Sequence, residues 1–188
     1  TFERASWSGR ERCLFGAPSL QPAREQRLHR ARRAAVQRAN DVVVGPDGSI
    51  YVADGHDAQG MITAAQIADG LKRGATSRIS KFSPDGKFIK SWGKIGTKHG
   101  EFRTPHALMF DSRGRLWVAD RGNHRLEIFD QNGTYLESRY SFSRVSGFFI
   151  KGETLYAIDS ESAPLSHPNW RDGVRIGVAA QRPGVGVA

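Results

Sequence analysis

The chain has little that could hold it together covalently or anchor it in a bilayer. Cysteine occurs once in its 188 residues, at Cys13, so no disulfide can form within the chain. No run approaches the 18 consecutive apolar residues typical of a transmembrane helix. No hydrophobic signal region is visible at Thr1. The sequence therefore excludes a fold stapled by internal disulfides and predicts no transmembrane segment.

An excess of positive charge is missing from most of the chain, although the whole carries a formal net charge of +9. Residues 1–40 contain nine arginines and three glutamates and carry +6, which leaves only +3 for the other 148 residues. We interpret residues 1–39 as a basic, Arg-rich segment that is disordered or non-native, and residues 178–188 as a frayed tail. Nucleic-acid contact through Arg24–Arg38 is less favoured than a solvated or disordered arm. RNA binding by the rest of the chain fits poorly, because the basic excess lies outside it.

Repetition is what the sequence does contain. DVVVGPDGSIYVAD at 41–54 and ALMFDSRGRLWVAD at 107–120 share one pattern, and SGFFIKGETLYAID at 146–159 is a weaker third copy. Each copy is an apolar run, a tight polar turn with glycine, an alternating run and an aspartate, which is typical of an antiparallel hairpin. SRISKFSPDGKFIKSWG at 77–93 and HRLEIFDQNGTYLESRY at 124–140 continue the first two copies in matching register.

Four short strands joined by hairpin turns, repeated in tandem, predict an all-β fold made of four-stranded antiparallel β-propeller blades. A parallel βα arrangement would need helices of ten or more residues between strands, and the turns are too short for that. We place the blades at residues 40–177. At roughly 40 residues per blade this holds only two to three blades, and closure needs at least four, so we expect a fragment. The alternatives are that the chain pairs with other copies, or that its open ends are exposed sheet faces that would aggregate.

One insertion interrupts the pattern. Asp54 and Arg78 are 24 residues apart, whereas the equivalent Asp120 and Arg125 are 5 apart, which leaves 19 additional residues in the first blade. The stretch MITAAQIADGLKRG, 61–74, has apolar residues at roughly helical spacing and predicts a short helix. A lid over one face and a flexible surface loop are both open interpretations.

The meander places most chemically active side chains on one rim. The strands of a meander alternate in direction. One rim of each blade therefore holds the start of its first strand, the end of its second and the start of its third. Five of the six histidines map there. The rim comprises Asp54, His56, His99, His106, Asp120, Arg121, His124, Asp159 and His167.

The rim positions that recur in the copies have an expected structural role. The recurring Asp54, Asp120 and Asp159 indicate a structural duty, accepting backbone N–H groups in the turn, with calcium or substrate contact as alternatives. Arg78 and Arg125 recur and are expected to pack or pair between blades.

The rim positions that do not recur are the functional candidates. Pro105 restricts the backbone just before His106, so we expect the imidazole to point into the central channel of the propeller. There it would be a metal ligand or part of a polar lining. Arg121 stands where other copies have small residues and suits an anion. We expect His99 and His124 to be exposed, and His167 is undecided.

YVADG, the 77–93 segment, PHALMF and WVADRGNHRLEIFD together resemble NHL repeats, and specifically peptidyl-α-hydroxyglycine α-amidating lyase and its bacterial relatives. The resemblance implies a six-bladed propeller, a periplasmic or extracellular location, and a zinc ion held by three histidines from different blades. It implies that His106 is a zinc ligand and Arg121 a catalytic arginine that orients a carboxylate. His56 stands where the lyase has its tyrosine base, so it would act as base or added ligand.

Two functions remain open from the sequence. The first is a metal-dependent lyase, with zinc or calcium as cofactor and a peptide or small hydroxylated substrate. The second is a non-catalytic NHL scaffold that binds a protein or peptide on the histidine-rich rim. Neither nucleic acid nor a membrane is an expected partner.

Overall fold

The computed structural model describes residues 36–61, 63–164 and 167–179. Most of the predicted basic segment and most of the predicted tail lie outside the described residues. Among the described residues no helix is long and apolar enough to cross a membrane.

The first sheet is a complete four-stranded antiparallel meander, which we call blade 1. Its strands are β1 (Ala39–Val44), β2 (Ile50–Asp54), β3 (Arg78–Phe82) and β4 (Phe88–Trp92). They are hydrogen-bonded in chain order. Short turns join β1 to β2 and β3 to β4, as the glycine turns predict.

Blades 2 and 3 follow the same plan. Blade 2 consists of β5 (Pro105–Phe110), β6 (Leu116–Asp120), β7 (Arg125–Phe129) and β8 (Tyr135–Arg139). Blade 3 has three described strands, β9 (Val145–Lys151), β10 (Thr154–Asp159) and β11 (Gly173–Val178), in the order β11-β10-β9. The all-β blade architecture is therefore confirmed. Residues 36–179, as far as they are described, form two complete blades and a partial third that do not close a ring.

The blades are held together by two apolar cores, each between neighbouring sheets. Alternate residues of a strand point to opposite faces, so blade 2 contributes to both cores. Leu116 and Val118 face Tyr51 of blade 1, whereas Trp117 and Ala119 belong to the core shared with blade 3. All five side chains are fully buried. Blade 2 is therefore the central element that joins the other two.

The insertion of blade 1 forms two short helices. A 3-10 helix covers His56–Ala58, and α1 covers Ala64–Lys72. Thr63 and Gln66 form a reciprocal capping box at the start of α1, which fixes its first turn. The predicted helix is confirmed. It lies beside the 3-10 helix, and most of its residues are exposed.

The recurring aspartates do accept backbone N–H groups, but from different segments. Asp159 accepts from Ser162 in the following turn at 2.9 Å, as predicted. Asp54 instead accepts from Arg38 at 2.8 Å, and Asp120 accepts from Arg103 at 2.7 Å, both in the segment that enters the blade. The prediction was thus wrong about the hydrogen-bond partner in two of the three copies. In these two, the segment that enters the blade supplies the N–H group that reaches the carboxylate.

The recurring arginines pair mainly within a blade. Arg78 donates from Nε and NH2 to Asp54 Oδ2, both at 3.1 Å, within blade 1. Arg125 donates to Asp120 Oδ2 at 3.0 Å and also reaches carbonyl oxygens of the loop between blades 1 and 2. Arg78 thus pairs with an aspartate of its own blade, whereas Arg125 also bonds to the loop between blades 1 and 2, as the predicted contact between blades requires.

Candidate functional site

The three predicted site residues come from three different elements at one end of the sheets. His56 opens the 3-10 helix after β2, and Arg121 opens a second 3-10 helix, Arg121–Asn123, after β6. His106 lies at the start of β5, where the pairing with β6 shifts register between Pro105 and Ala107. Such an irregularity re-aims a side chain, so the backbone sets the direction of this imidazole.

His106 is half-buried and held in one tautomer. Its Nδ1 donates a hydrogen bond to the carbonyl oxygen of Ser146 at 2.8 Å, and a carbonyl can only accept. The lone pair is therefore on Nε2, which is the arrangement that metal-binding or proton-accepting histidines use. Burial and the nearby positive charge of Arg121 lower the pKa of His106, so the ring is neutral near pH 7. The ring of the exposed His56 lies 6.4 Å away, centroid to centroid.

Arg121 is buried, with 4% of its surface exposed. Its NH1 donates to Glu161 Oε1 and its NH2 to Gln59 Oε1, each at 3.1 Å. Its Nε is buried without a hydrogen-bond partner among the described residues. Burial lowers the pKa of Arg121, but an arginine side chain stays charged in proteins. The guanidinium is therefore positioned by two fixed contacts and retains an unused donor.

Glu161 connects Arg121 to a second group of basic side chains. Arg144 NH2 donates to Glu161 Oε2 at 2.5 Å. Two guanidinium groups thus share one carboxylate, and these three side chains carry one net positive charge. That net positive charge favours an anionic ligand.

His124 and His167 form a separate pair beside Arg144. Their ring centroids are 4.5 Å apart, and Arg144 NH1 approaches His124 Nε2 at 3.5 Å. The predicted exposure of His124 is wrong, because the side chain is half-buried between Arg144 and His167. Burial, with the charges of these two neighbours, lowers its pKa to about 4. His167 also bonds to the hydroxyl of Ser143 and stacks on Trp170.

His99 is exposed as predicted, but it joins none of the other histidines. Its ring stacks on Tyr135 of β8 at 4.4 Å, and Nδ1 lies 3.4 Å from Glu127. Four of the five rim histidines therefore share one connected surface, and His99 belongs to the outer part of blade 2.

The residues described do not by themselves fit a catalytic zinc ion. Such an ion takes three protein ligands and an open position. His106 offers a free Nε2 and His56 a second imidazole, but no group of three or more metal-ligating side chains occurs within the described part of the chain. Both zinc and calcium therefore stay predictions.

Gln59, Glu161 and Arg144 were not predicted from the sequence. Gln59, Arg121 and Glu161 all follow the recurring aspartate of their blade within five residues, in the loop after its second strand. Because these loops meet at one end of neighbouring blades, the location of all three residues in the loop after the aspartate was a usable signal. Arg144 lies in the turn before β9 and carries no such signal.

Comparison with known proteins identifies the repeat. The NHL repeat model matches residues 102–129. NHL repeat-containing protein 3 of Homo sapiens is 36% identical over 92 residues, which is 49% of this chain and 22% of that protein. Peptidyl-glycine alpha-amidating monooxygenase A of Xenopus laevis is 33% identical over 141 residues, covering 66% of this chain and 13% of that protein.

A solved structure supports the fold. Hydrazine synthase of Kuenenia stuttgartiensis superimposes with a TM-score of 0.51 at 16% identity, over 77% of this chain and 46% of that one. The chain spans about a fifth or less of the length of the two curated relatives above. Residues 102–129 thus match an NHL repeat, and the strands described around them form β-propeller blades.

Proposed function

We propose that the surface formed by His56, His106 and Arg121 binds a small hydroxylated substrate through its carboxylate. The site then cleaves the C–N bond of that substrate, as an amidating lyase does. The observation that supports this is a buried Arg121 with an unpartnered Nε, close to His106, whose ring in turn lies 6.4 Å from that of His56. The similarity to amidating monooxygenases supports the same class of substrate.

Arg121 would orient the substrate. A guanidinium recognises a carboxylate through two parallel N–H bonds, and in this site Glu161 already takes one such bond. The substrate carboxylate would use Nε and the remaining protons of the terminal nitrogens, or replace Glu161.

The imidazoles would move the proton. In an N-acyl-α-hydroxyglycine, a base removes the hydroxyl proton, the oxygen electron pair forms a C=O bond, and the C–N bond breaks. The nitrogen then takes a proton, so the products are an amide and glyoxylate. His106 keeps a neutral Nε2 that suits general base catalysis, and the exposed His56 is a second imidazole nearby.

The test is glyoxylate release from an N-acyl-α-hydroxyglycine by the purified 188-residue chain. Arg121→Gln should lower kcat/KM by about 10–100-fold, as expected for the loss of a hydrogen bond to a charged group. Arg113→Gln, in an exposed turn, is the matched control and should have no effect. Absence of glyoxylate release, or equal rates for both variants, would overturn the proposal.

A further inference from the structure

We propose that a cavity at the edge of blade 2 binds a phosphate group and that Arg103 holds it there. Arg121 and His106 do not line this cavity, so the site is separate from the one proposed for the lyase reaction and does not depend on that function. The inference rests on an unpaired arginine, on a lining without acidic side chains, and on lining positions at which the repeat copies differ.

The cavity lies between the loop that joins β4 to β5 and the turn that joins β6 to β7. Its volume is about 320 Å³, at the lower end of the range of about 300–1,000 Å³ that is typical of small-molecule sites. Its lining includes Thr97 and Arg103 of the loop, His124 and Arg125 after β6, and Tyr140 after β8. The described residues that line it include no carboxylate, so an anion would meet no like charge on its walls.

Arg103 is fixed by its backbone and unpaired at its side chain. Its N–H donates to Asp120 Oδ1 at 2.7 Å, and its carbonyl oxygen accepts from the N–H of Gly122 at 2.7 Å. Its Nε is buried, yet the guanidinium forms no hydrogen bond or ion pair with any residue that the structure describes. A buried donor without a partner is costly, and a guanidinium fork matches the oxygens of a phosphate. Arg103 is therefore a positioned cation that lacks an anion.

Arg125, the other arginine of the wall, is already occupied. It pairs with the fully buried Asp120 and Glu127, and its remaining donors bond to backbone carbonyls. These two carboxylates lie outside the lining of the cavity and offset the charge of Arg125. The cation that is left for a ligand in this wall is therefore Arg103.

The other polar groups of the lining are donors too. Thr97 and Tyr140 each carry a hydroxyl group, and His124 carries one N–H. Arg144 NH1 faces His124 Nε2 at 3.5 Å, and because a guanidinium only donates, the proton of the imidazole is on Nδ1. A planar carboxylate is satisfied by the fork of one arginine, whereas a tetrahedral phosphate has oxygens left for donors on other walls. The donor set therefore favours phosphate.

The charges around His124 agree with an anion site. Burial is the first cause that lowers the pKa of His124, and the positive charges of Arg144 and Arg103 lower it further, while Asp159 opposes them. Positive charge thus prevails beside the imidazole, and it would stabilise a bound anion.

Three of the lining positions are not part of the repeat. Arg125 has a counterpart in Arg78, since each pairs with the recurring aspartate of its blade. The strand registers place Arg103, His124 and Tyr140 of blade 2 at the positions of Gln37, Ser77 and Gly93 of blade 1. A role in holding a blade together would be needed in both blades, so these three side chains serve something specific to blade 2.

The experiment is isothermal titration calorimetry of the full 188-residue chain with inorganic phosphate at constant ionic strength. We expect saturable binding with a dissociation constant of about 1 mM or lower. Arg103→Gln should raise this constant by about 10–100-fold, because hydrogen bonds to a charged group are lost. Arg113→Gln removes the same charge from an exposed turn, and this matched control should bind phosphate like the unsubstituted chain.

Tyr140→Phe is a milder variant, because it removes one hydroxyl from a side chain that is 57% exposed. It should weaken phosphate binding by about 2–10-fold, and far-UV circular dichroism checks that each variant is folded. Glycerol 3-phosphate, titrated in parallel, shows whether the ligand is the free ion or a phosphate ester, since the natural source should bind more tightly.

Three results would overturn the proposal. The first is a lack of saturable binding, or equal affinities of Arg103→Gln and the unsubstituted chain. The second is acetate binding as tightly as phosphate, which would assign the cavity to carboxylates. The third is loss of phosphate binding in Arg121→Gln but not in Arg103→Gln, which would place the anion at the lyase site. Glyoxylate release by Arg103→Gln tests the lyase function independently of all three.

Discussion

Arg125 shows how strongly single side chains are specified inside blade 2. It is 3% exposed and lies between two carboxylates, Asp120 and Glu127, that are fully buried. Burial raises the pKa of Glu127, and the charge of Arg125 opposes that rise. Its remaining donors reach backbone carbonyls of the loop from blade 1. One side chain therefore forms ion pairs with the two carboxylates and hydrogen bonds with the loop.

Removing that guanidinium should destabilise the protein severely. Arg125→Met keeps much of the volume but leaves two buried carboxylates without their partner, which should cost about 3–5 kcal/mol of unfolding free energy. Urea unfolding measures this loss. Arg113→Met, in an exposed turn, is the control and should change stability by less than about 0.5 kcal/mol. A loss below about 1 kcal/mol in Arg125→Met would contradict the assigned role.

His124 should make stability depend on pH. Its pKa is about 4 in the folded state, against about 6.5 for a free histidine. The unfolded chain therefore takes up a proton first, and stability should fall as the pH drops from about 6.5 to about 4. Solvent screening of this half-buried group limits the effect to about 1 kcal/mol.

His124→Gln should reduce that fall, as followed by thermal unfolding at several pH values. The exposed His56→Gln controls for the loss of an imidazole elsewhere on the same surface. If His124→Gln and the wild type lose stability equally between these pH values, His124 is not the responsible group.

The hairpin turns set the architecture at the level of the element. Gly86 and Gly133 occupy equivalent turns after β3 and β7, with φ of 79° and 82°. Both positions lie in the left-handed region, where a side chain is strained. They differ in surroundings, because a Cβ at Gly86 meets nothing within 4 Å and one at Gly133 would lie 2.6 Å from Trp92.

This pair separates strain from crowding. Gly86→Ala should cost about 1–2 kcal/mol from backbone strain alone. Gly133→Ala should cost about 1–3 kcal/mol more, because the methyl group displaces the Trp92 ring. Chemical denaturation of both variants gives the difference directly, and equal losses would show that Trp92 moves aside at no cost.

Blade 2 decides how the whole molecule unfolds. Its two faces supply residues to both apolar cores, so neither blade 1 nor blade 3 can lose its contacts without exposing a face of blade 2. Trp92 of blade 1 and Trp170, which lies between β10 and β11 of blade 3, report on the two ends. The shared central sheet implies cooperative behaviour of all three.

We therefore expect one unfolding transition. Trp92→Phe and Trp170→Phe each remove the reporter of one end and leave Trp7, Trp117 and the tryptophan of the other end. The midpoints from fluorescence and from far-UV circular dichroism should coincide in both variants and in the unsubstituted chain. Two separated transitions would show that the blades unfold independently.

The hairpins, the blade count and the helix of the insertion could be predicted from the sequence, because each depends on nearby residues. Alternation, turn glycines and the repeat register specify strands locally. The hydrogen-bond partners of Asp54 and Asp120 could not be predicted from the sequence, because they lie 16 to 17 residues away, in the segment that enters the blade. The half-burial of His124 likewise depends on contacts with Arg144 and His167, and the repeat pattern does not predict the positions of these two side chains.

By itself the sequence determined the NHL-type repeat, the blade as the folding unit, and His56, His106 and Arg121 as the positions where the copies differ. Only the tertiary structure decided which side chains meet at that end: Gln59 and Glu161 on Arg121, and the carbonyl of Ser146 on His106. The physical reason is that a repeat is set by local backbone geometry. The contacts of a site instead arise from loops of successive blades, and only the packing of blade against blade brings those loops together.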